Sequence, residues 1–222
     1  NAGFPQYLGI DGEKQEILFN SVFRNEDDKQ ISLSGKMNQD DSSFYLDGKP
    51  VKRINNIKMV FINPFDSYSF HNTPGFRRAW FDKHISMLSA DYKKALSRYT
   101  TELRFRNNLL SKKPAHYRDQ INAIDKEIVK HSVIIINERI KFLREMHTYC
   151  GDIFKEIFAE EHDLKISLES KFLNLSEDEI FNALHERLER DEMVGRTTSG
   201  VHKDDYILLF DGLNSYDYCS LG

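Results

Sequence analysis

The sequence predicts an α+β fold: a mostly antiparallel β portion carrying a long, inserted antiparallel helical arm. Three observations predict it. Strand-type patterning dominates the chain up to Ile62, apolar residues recur every three or four positions from Ile85 to Ile157, and strand character returns after Leu164. Strands on both sides of a helical segment fit an arm inserted into one sheet domain better than two tandem domains. The boundaries expected are 3–73 for the β-rich part, 74–162 for the arm, and 163–222 for the return to the sheet.

The elements follow in order. Glu16–Phe23 is rich in Ile, Leu, Val and Phe, and Gln30–Lys36 alternates apolar and polar residues. Ser43–Leu46 and Lys49–Lys52 flank Asp47-Gly48, a two-residue hairpin signal. Lys58–Ile62 is a continuous apolar run suited to a buried strand, ended by Asn63-Pro64 because proline lacks an N–H donor.

Pro74 suits a first helical turn. Ile85, Leu88, Tyr92, Leu96, Tyr99, Leu103 and Leu110 follow at helical steps, predicting one long amphipathic helix that Lys112-Lys113-Pro114 breaks. A second run starts near Ala115 and continues through Ile157; about 45 helical residues would reach roughly 65 Å. Two long helices joined by a short turn lie antiparallel, packed in the manner of a coiled coil. Gly151 is a candidate bend in the second. Leu164–Phe172 alternates as a strand, Ser176–Glu179 forms a capping box opening a short helix to about Arg190, and Tyr206–Phe210 is the last strand, closed by Asp211-Gly212.

Composition narrows the function classes. At 222 residues the chain is long enough for a substantial core. No apolar run approaches the ~20 residues of a membrane helix. A net charge of −4 argues against a wholly basic nucleic-acid coat while leaving local patches open. Cys150 and Cys219 are isolated, without a Cys-x-x-Cys or a secretory signal, which favours a reducing, cytoplasmic setting. The chain opens Asn1-Ala2 without Met and stops inside a Ser-x-Gly motif, so a piece of a longer protein is expected.

Several groups of residues carry candidate chemistry. A Ser-x-Gly loop entering a helix suits phosphate, because free backbone N–H groups and the positive helix end face the anion; by itself Ser220-Leu221-Gly222 is more often an ordinary strand end. There is no Gly-x-x-x-x-Gly-Lys-Ser/Thr, and no apolar strand ending in an Asp-Glu pair that could hold magnesium. His202, Lys203, Asp204 and Asp205 precede a strand. A His beside two carboxylates suggests a metal, but neighbours on an extended chain point to opposite faces. An interface or loop-anchoring role is preferred there, and no metal site is expected. Arg77, Arg78, Arg104, Arg106, Lys112, Lys113 and Arg118, with Trp80, Phe105 and Tyr117 interleaved, form a basic stripe fit for phosphate contact. The competing account is a solvated face with intrahelical pairs such as Glu102–Arg106. Arg77, Arg78 and Asp82 are read as structural at the arm's base, and Arg104, Arg106, Lys112, Lys113 and Arg118 as DNA or partner candidates.

The order of these residues resembles the RecF family of bacterial recombination-mediator ATPases. The resemblance is carried by Arg77, Arg78, Asp82, Tyr92, Tyr99, Leu103, Arg106, Asn107, Leu109 and Leu110, then Asp125, Ile136 and Arg139. It continues through Gly195, Thr197, Gly200, His202, Asp204 and Asp205, and ends on Ser220 and Gly222. It spans the chain from about Gln15 to its end. Departures are Val201 for the family's proline, Lys203 for arginine, Phe65 for an acidic residue, Ile124 for tryptophan and Ser132 for glycine; they mark a divergent branch or a distant paralogue.

The resemblance implies part of an ABC/SMC-like ATPase head that binds DNA and forms an ATP-dependent homodimer, acting in DNA replication, recombination and the SOS response. Its partners would be double-stranded or gapped DNA and a RecR-type mediator that promotes recombinase loading. Ser220 and Gly222 would contact ATP held by the opposite protomer, and Asn63 or Asp66 would sense magnesium or water. ATP and Mg2+ belong to the parent protein, a slow DNA-dependent ATPase. This fragment, lacking the phosphate loop and the Walker B strand, is expected to bind neither and to be inactive alone. The alternatives are a non-catalytic interaction module working through its helical hairpin, or another SMC-like head with a shorter arm.

Overall fold

Alternation decides the first sheet. In the computed structural model, which describes residues 16–24, 27–52, 66–157 and 162–218, β1 (Glu16–Arg24), β2 (Gln30–Asn38), β3 (Ser42–Leu46) and β4 (Lys49–Val51) form an antiparallel meander in that order. Asp47 and Gly48 both have positive φ, as the two-residue turn requires. Asp47 Oδ1 also accepts the Ser32 N–H at 2.7 Å, pinning the hairpin to β2. Gly35 lies opposite Phe19, and a Cβ there would stand 2.5 Å from the Phe19 ring, which would have to shift to admit it. This sheet falls in one unit, Asn1–Phe61, and all later elements fall in a second, Ile62–Gly222. The expected strand at Lys58–Ile62 lies outside the described residues.

The second unit carries the arm. It begins with α1 (Asp66–Asn72), α2 (Pro74–Leu88), α3 (Ala90–Lys112) and α4 (Tyr117–Ile157). The single helix expected from Pro74 to Leu110 is two helices. Ser89 is extended (φ −120, ψ 116) and serves both: its N–H bonds to Ile85 O at 2.8 Å, and its Oγ accepts from Tyr92 N at 3.1 Å. Periodicity ran on across the joint because Ile85 and Tyr92 on either side of it are both buried, although Leu88 between them is exposed. The Lys112–Pro114 break is present, with Lys113 left-handed (φ 45) as the C-cap. Gly151 does not break α4, which runs 41 residues, about 60 Å at 1.5 Å per residue.

The return segment contains β5 (Leu164–Glu169), α5 (Glu177–Glu186), α6 (Leu188–Val194), a 3-10 turn at Val201–Lys203, β6 (Asp205–Phe210), β7 (Leu213–Asn214) and α7 (Ser215–Tyr218). The strands form an antiparallel β5-β6-β7 sheet. The capping box at Ser176 and Glu179 is complete, but the helix expected to reach Arg190 divides at Arg187 into α5 and α6. Phe81 of α2 stacks on Tyr206 of β6 with ring centres 3.7 Å apart. Around that pair Ile85, Tyr92, Ile128, Ile135, Ile136, Phe172 and Ile180 are buried. Truncating Phe81 to alanine in such a core costs about 3–5 kcal/mol. Among the described residues, no helix is long and apolar enough to cross a membrane.

Candidate functional site

Helical spacing stacks polar side chains in layers inside the arm. Tyr92, Tyr99 and Arg106 stand at every seventh residue of α3, and Asp125, Ser132 and Arg139 at every seventh of α4; all six are buried. A seven-residue step keeps side chains on one seam of an antiparallel pair. Arg106 Nε donates to Asp125 Oδ1 at 2.7 Å, and Arg139 Nε donates to Tyr92 Oη at 3.0 Å. The same register puts Tyr99 and Ser132 in the layer between them.

Each layer reaches out to the segment 191–205. From the first, Arg106 Nη1 donates to Asp191 Oδ2 at 2.6 Å and to Thr197 Oγ1 at 2.9 Å. Asp191 Oδ1 accepts from the Thr198 N–H and hydroxyl, and Asn107 Oδ1 accepts from those of Thr197. From the second, Tyr99 Oη lies 2.7 Å from His202 Nδ1, while His202 Nε2 lies 3.3 Å from Thr197 O. A carbonyl only accepts, so Nε2 carries the proton and Nδ1 accepts from the tyrosine. From the third, Arg139 Nη1 donates to Val201 O at 3.0 Å and Asp204 Oδ2 at 2.8 Å, and its Nη2 to Asp82 Oδ1 at 2.7 Å. The segment passes close enough that a Cβ on Gly200 (φ 142) would meet Tyr99 Oη at 2.6 Å.

The arm's base adds a fourth grip. Arg77 holds both oxygens of Asp205, at 2.8 and 2.7 Å, and its Nη1 donates to Phe70 O and His71 O. Arg78 Nη1 donates to Asp204 O at 2.8 Å. A cleft of about 280 Å³ opens beside these groups, lined by Arg78, Tyr99, Arg139 and His202 among others.

Burial sets the charge states. Desolvation pulls the His202 imidazole down to about 4, so it is neutral near pH 7. Desolvation lifts the Asp204 carboxyl to about 6 against the opposing pull of Arg139. Burial is the largest influence on Asp205 and works to raise it, but the Arg77 hydrogen bonds, the Tyr206 N–H and the nearby arginine charges together outweigh it and leave that group below the usual range. Burial pulls the Arg106 and Arg139 guanidiniums downward, but their hydrogen-bonding and charged neighbours more than offset it and hold both above the ordinary arginine value. The arrangement is a latch. His202 has both ring nitrogens engaged and Asp204 and Asp205 are held by guanidiniums, so these groups do not present acid–base or metal-binding chemistry to a substrate. Nor does the junction form a phosphate cradle among the described residues, because Arg77, Arg106 and Arg139 are already neutralised by carboxylates.

The predicted residues therefore divide. Arg77, Arg78, Asp82, His202, Asp204 and Asp205 come together at the arm's base, while Lys203 points to solvent. Arg106 is not on a DNA-facing surface: it is 0% exposed, ion-paired to Asp125 and Asp191, and not to Glu102. Arg118 is exposed but holds Glu192 bidentately at 2.8 and 2.6 Å, tying α4 to α6. Arg104, Lys112 and Lys113 remain on the surface, and Asp66 starts α1. Asn63, Ser220 and Gly222 lie outside the described residues. Asp191, which completes the Arg106 site, was missed; the available signal was a carboxylate six residues before Thr197, too common to single out.

No family model matches the chain. It is 26% identical over 196 residues to the DNA replication and repair protein RecF of Clostridium novyi (strain NT), covering 82% of this chain and 54% of that protein. The RecF protein of Lachnoclostridium phytofermentans is 28% identical over 207 residues, covering 90% and 56%. That of Acholeplasma laidlawii is 29% identical over 171 residues, covering 76% and 47%. The chain thus spans about half the length of the curated relatives it matches. Solved structures of the recombination mediator protein RecF of the RecFOR pathway, bound to ATPrS or to ATP, share its fold. Each superposes with a TM-score of 0.74 over 94% of this chain and 59% of theirs, at 21% and 20% identity.

Proposed function

The chain belongs to the RecF family, and on that premise we propose that it is the arm-bearing piece of a cytoplasmic, ATP-dependent DNA-binding protein of recombinational repair. The observation that carries the proposal is the fourfold latch. Arg77, Tyr99, Arg106 and Arg139 bind the arm to the segment 191–205, which leads through β6 to Ser220 and Gly222. In the whole protein those two residues touch the ATP of the opposite protomer, and ATP with Mg2+ supplies the energy of closure and its release on hydrolysis. The latch makes arm and segment one stiff body, because each of the three guanidiniums is buried with an acceptor at every nitrogen. Dimer closure at one end then sets the position of the arm tip at the other. Lys112 and Lys113 at that tip, with Arg104, meet gapped or double-stranded DNA or a RecR-type mediator, and recombinase loading at gaps follows.

Sedimentation velocity on the intact gene product, with and without ATP, tests this. A dimer that forms only with ATP, and that Ser220→Arg abolishes, is the expected result. A monomer under both conditions, or a dimer indifferent to both ATP and the substitution, removes the proposal. The 222-residue chain alone is expected to show no calorimetric response to ATP, since it carries no phosphate loop.

A further inference from the structure

Midway along the arm, on a face the latch does not use, Glu102 of α3 meets Glu127 and His131 of α4. Glu127 and His131 are four residues apart and share one helix face, and Glu102 comes across from the antiparallel helix. One ligand atom from each of the three lies within 4.8 Å of the others. His131 Nε2 and Glu102 Oε1 are 3.4 Å apart. That is longer than the ~2.8 Å of a charge-assisted hydrogen bond. It matches the roughly 3.4 Å edge of a tetrahedron with bonds of 2.0–2.1 Å to zinc. The cluster is also short of partners. Glu102 Oε2 is buried and without a hydrogen-bond partner, a condition that calls for an explanation.

We propose that Glu102, Glu127 and His131 form a binding site for a divalent transition-metal cation, Zn2+ being the best match, that staples α3 to α4. The donor set of one imidazole and two carboxylates suits Zn2+ and leaves a position open to water. Glu127 is paired with Lys130 at 2.6 Å, but both side chains are about half exposed, and such a pair exchanges at little cost. His131 also lines a surface cleft of about 410 Å³, together with Asp91, Lys94 and Glu138, which gives a cation a route in. The staple lies beside the middle of the arm, so an occupied site stiffens the lever whose ends the latch and the tip define.

The test is calorimetric titration of Zn2+ into chelator-treated, desalted 222-residue protein, with Co2+ as a visible-absorption probe of the same site. One equivalent of Zn2+ and a tetrahedral d–d band with Co2+ are expected. Thermal unfolding at about 100 times Kd should rise by roughly 5 °C or more. His131→Ala, Glu102→Gln and Glu127→Gln should each weaken binding by about tenfold or more. Glu127 is exposed and Glu102→Gln is isosteric, so at least these two variants keep the fold, which far-UV circular dichroism checks. No saturable binding, or unchanged affinity in any one of the three variants, overturns the proposal.

Discussion

Arg77 and Asp205 stand 128 residues apart in sequence and face each other through two parallel hydrogen bonds, Nε to Oδ1 at 2.8 Å and Nη2 to Oδ2 at 2.7 Å. The pair joins α2 to the first residue of β6, and its side chains are only 5% and 18% exposed. Planar matching of this kind is available to arginine and not to lysine. Arg77→Ala strands a half-buried carboxylate and two carbonyls, and should lower stability by about 3–5 kcal/mol. Arg77→Lys should recover only part of that. Urea unfolding of the single and double variants with Asp205→Ala measures the coupling. A coupling below about 0.5 kcal/mol would mean the pair merely coexists.

Arg106 makes the opposite prediction to that expected of a DNA-contacting arginine. Its guanidinium is fully buried between Asp125 and Asp191 and also donates to Thr197. Arg106→Ala leaves two buried carboxylates unpaired and should cost about 3–5 kcal/mol. The folded fraction of the variant should bind DNA with the parent's salt dependence, since no phosphate contact has been removed. A variant of unchanged stability whose salt slope falls would return Arg106 to the DNA surface.

What the sequence made legible was whatever depends on spacing within one element. The Asp47-Gly48 turn, the Ser176–Glu179 capping box and the antiparallel arm all follow from local pattern. Roles that depend on a distant partner did not. Arg77 and Arg106 look alike in the sequence, two cations on amphipathic helices. What separates them from Lys112 is the carboxylate waiting at Asp205, or at Asp125 and Asp191, tens of residues away. Ser89 hid for a related reason, because apolar steps of three and four carried straight across the break it caps. The seven-residue ladders of Tyr92, Tyr99 and Arg106, and of Asp125, Ser132 and Arg139, were present as spacing. They were obscured because polar residues at core positions read as interruptions until their partners are known. Glu102, Glu127 and His131 escaped for the same reason, the first lying on a different helix from the other two.

His202 and Asp204 make stability depend on pH in opposite senses. The imidazole titrates at about 4 in the fold and near 6.5 when unfolded. Its contribution is therefore present above 6.5 and lost as pH falls from there through 4. Asp204 titrates at about 6 in the fold and near 3.9 when unfolded. Its contribution is full below 3.9 and lost as pH rises through 6. The parent should thus show a shallow profile between pH 4 and 6. His202→Gln removes one side of the balance. Its stability deficit relative to the parent should shrink by roughly 1–2 kcal/mol between pH 7.5 and pH 5, read from urea midpoints. A deficit that stays constant with pH would show that folding leaves the proton affinity of His202 unchanged.

Lys112 and Lys113 are the exposed cations where α3 ends, Lys113 turning the chain in a left-handed conformation before Pro114. Neither is needed for the core, so replacing both with alanine should change stability by less than about 0.5 kcal/mol. If the tip meets the phosphate backbone, each lysine releases close to one counterion. The slope of log K against log salt should then fall by roughly 1–2 in the double variant. Fluorescence anisotropy on a gapped duplex, at several salt concentrations between about 50 and 200 mM, measures that slope. Affinity should drop by a similar factor on any DNA sequence, because lysines at a helix end contact phosphates and do not read bases. An unchanged slope would move DNA binding away from the arm tip and leave Lys112 and Lys113 to a protein partner.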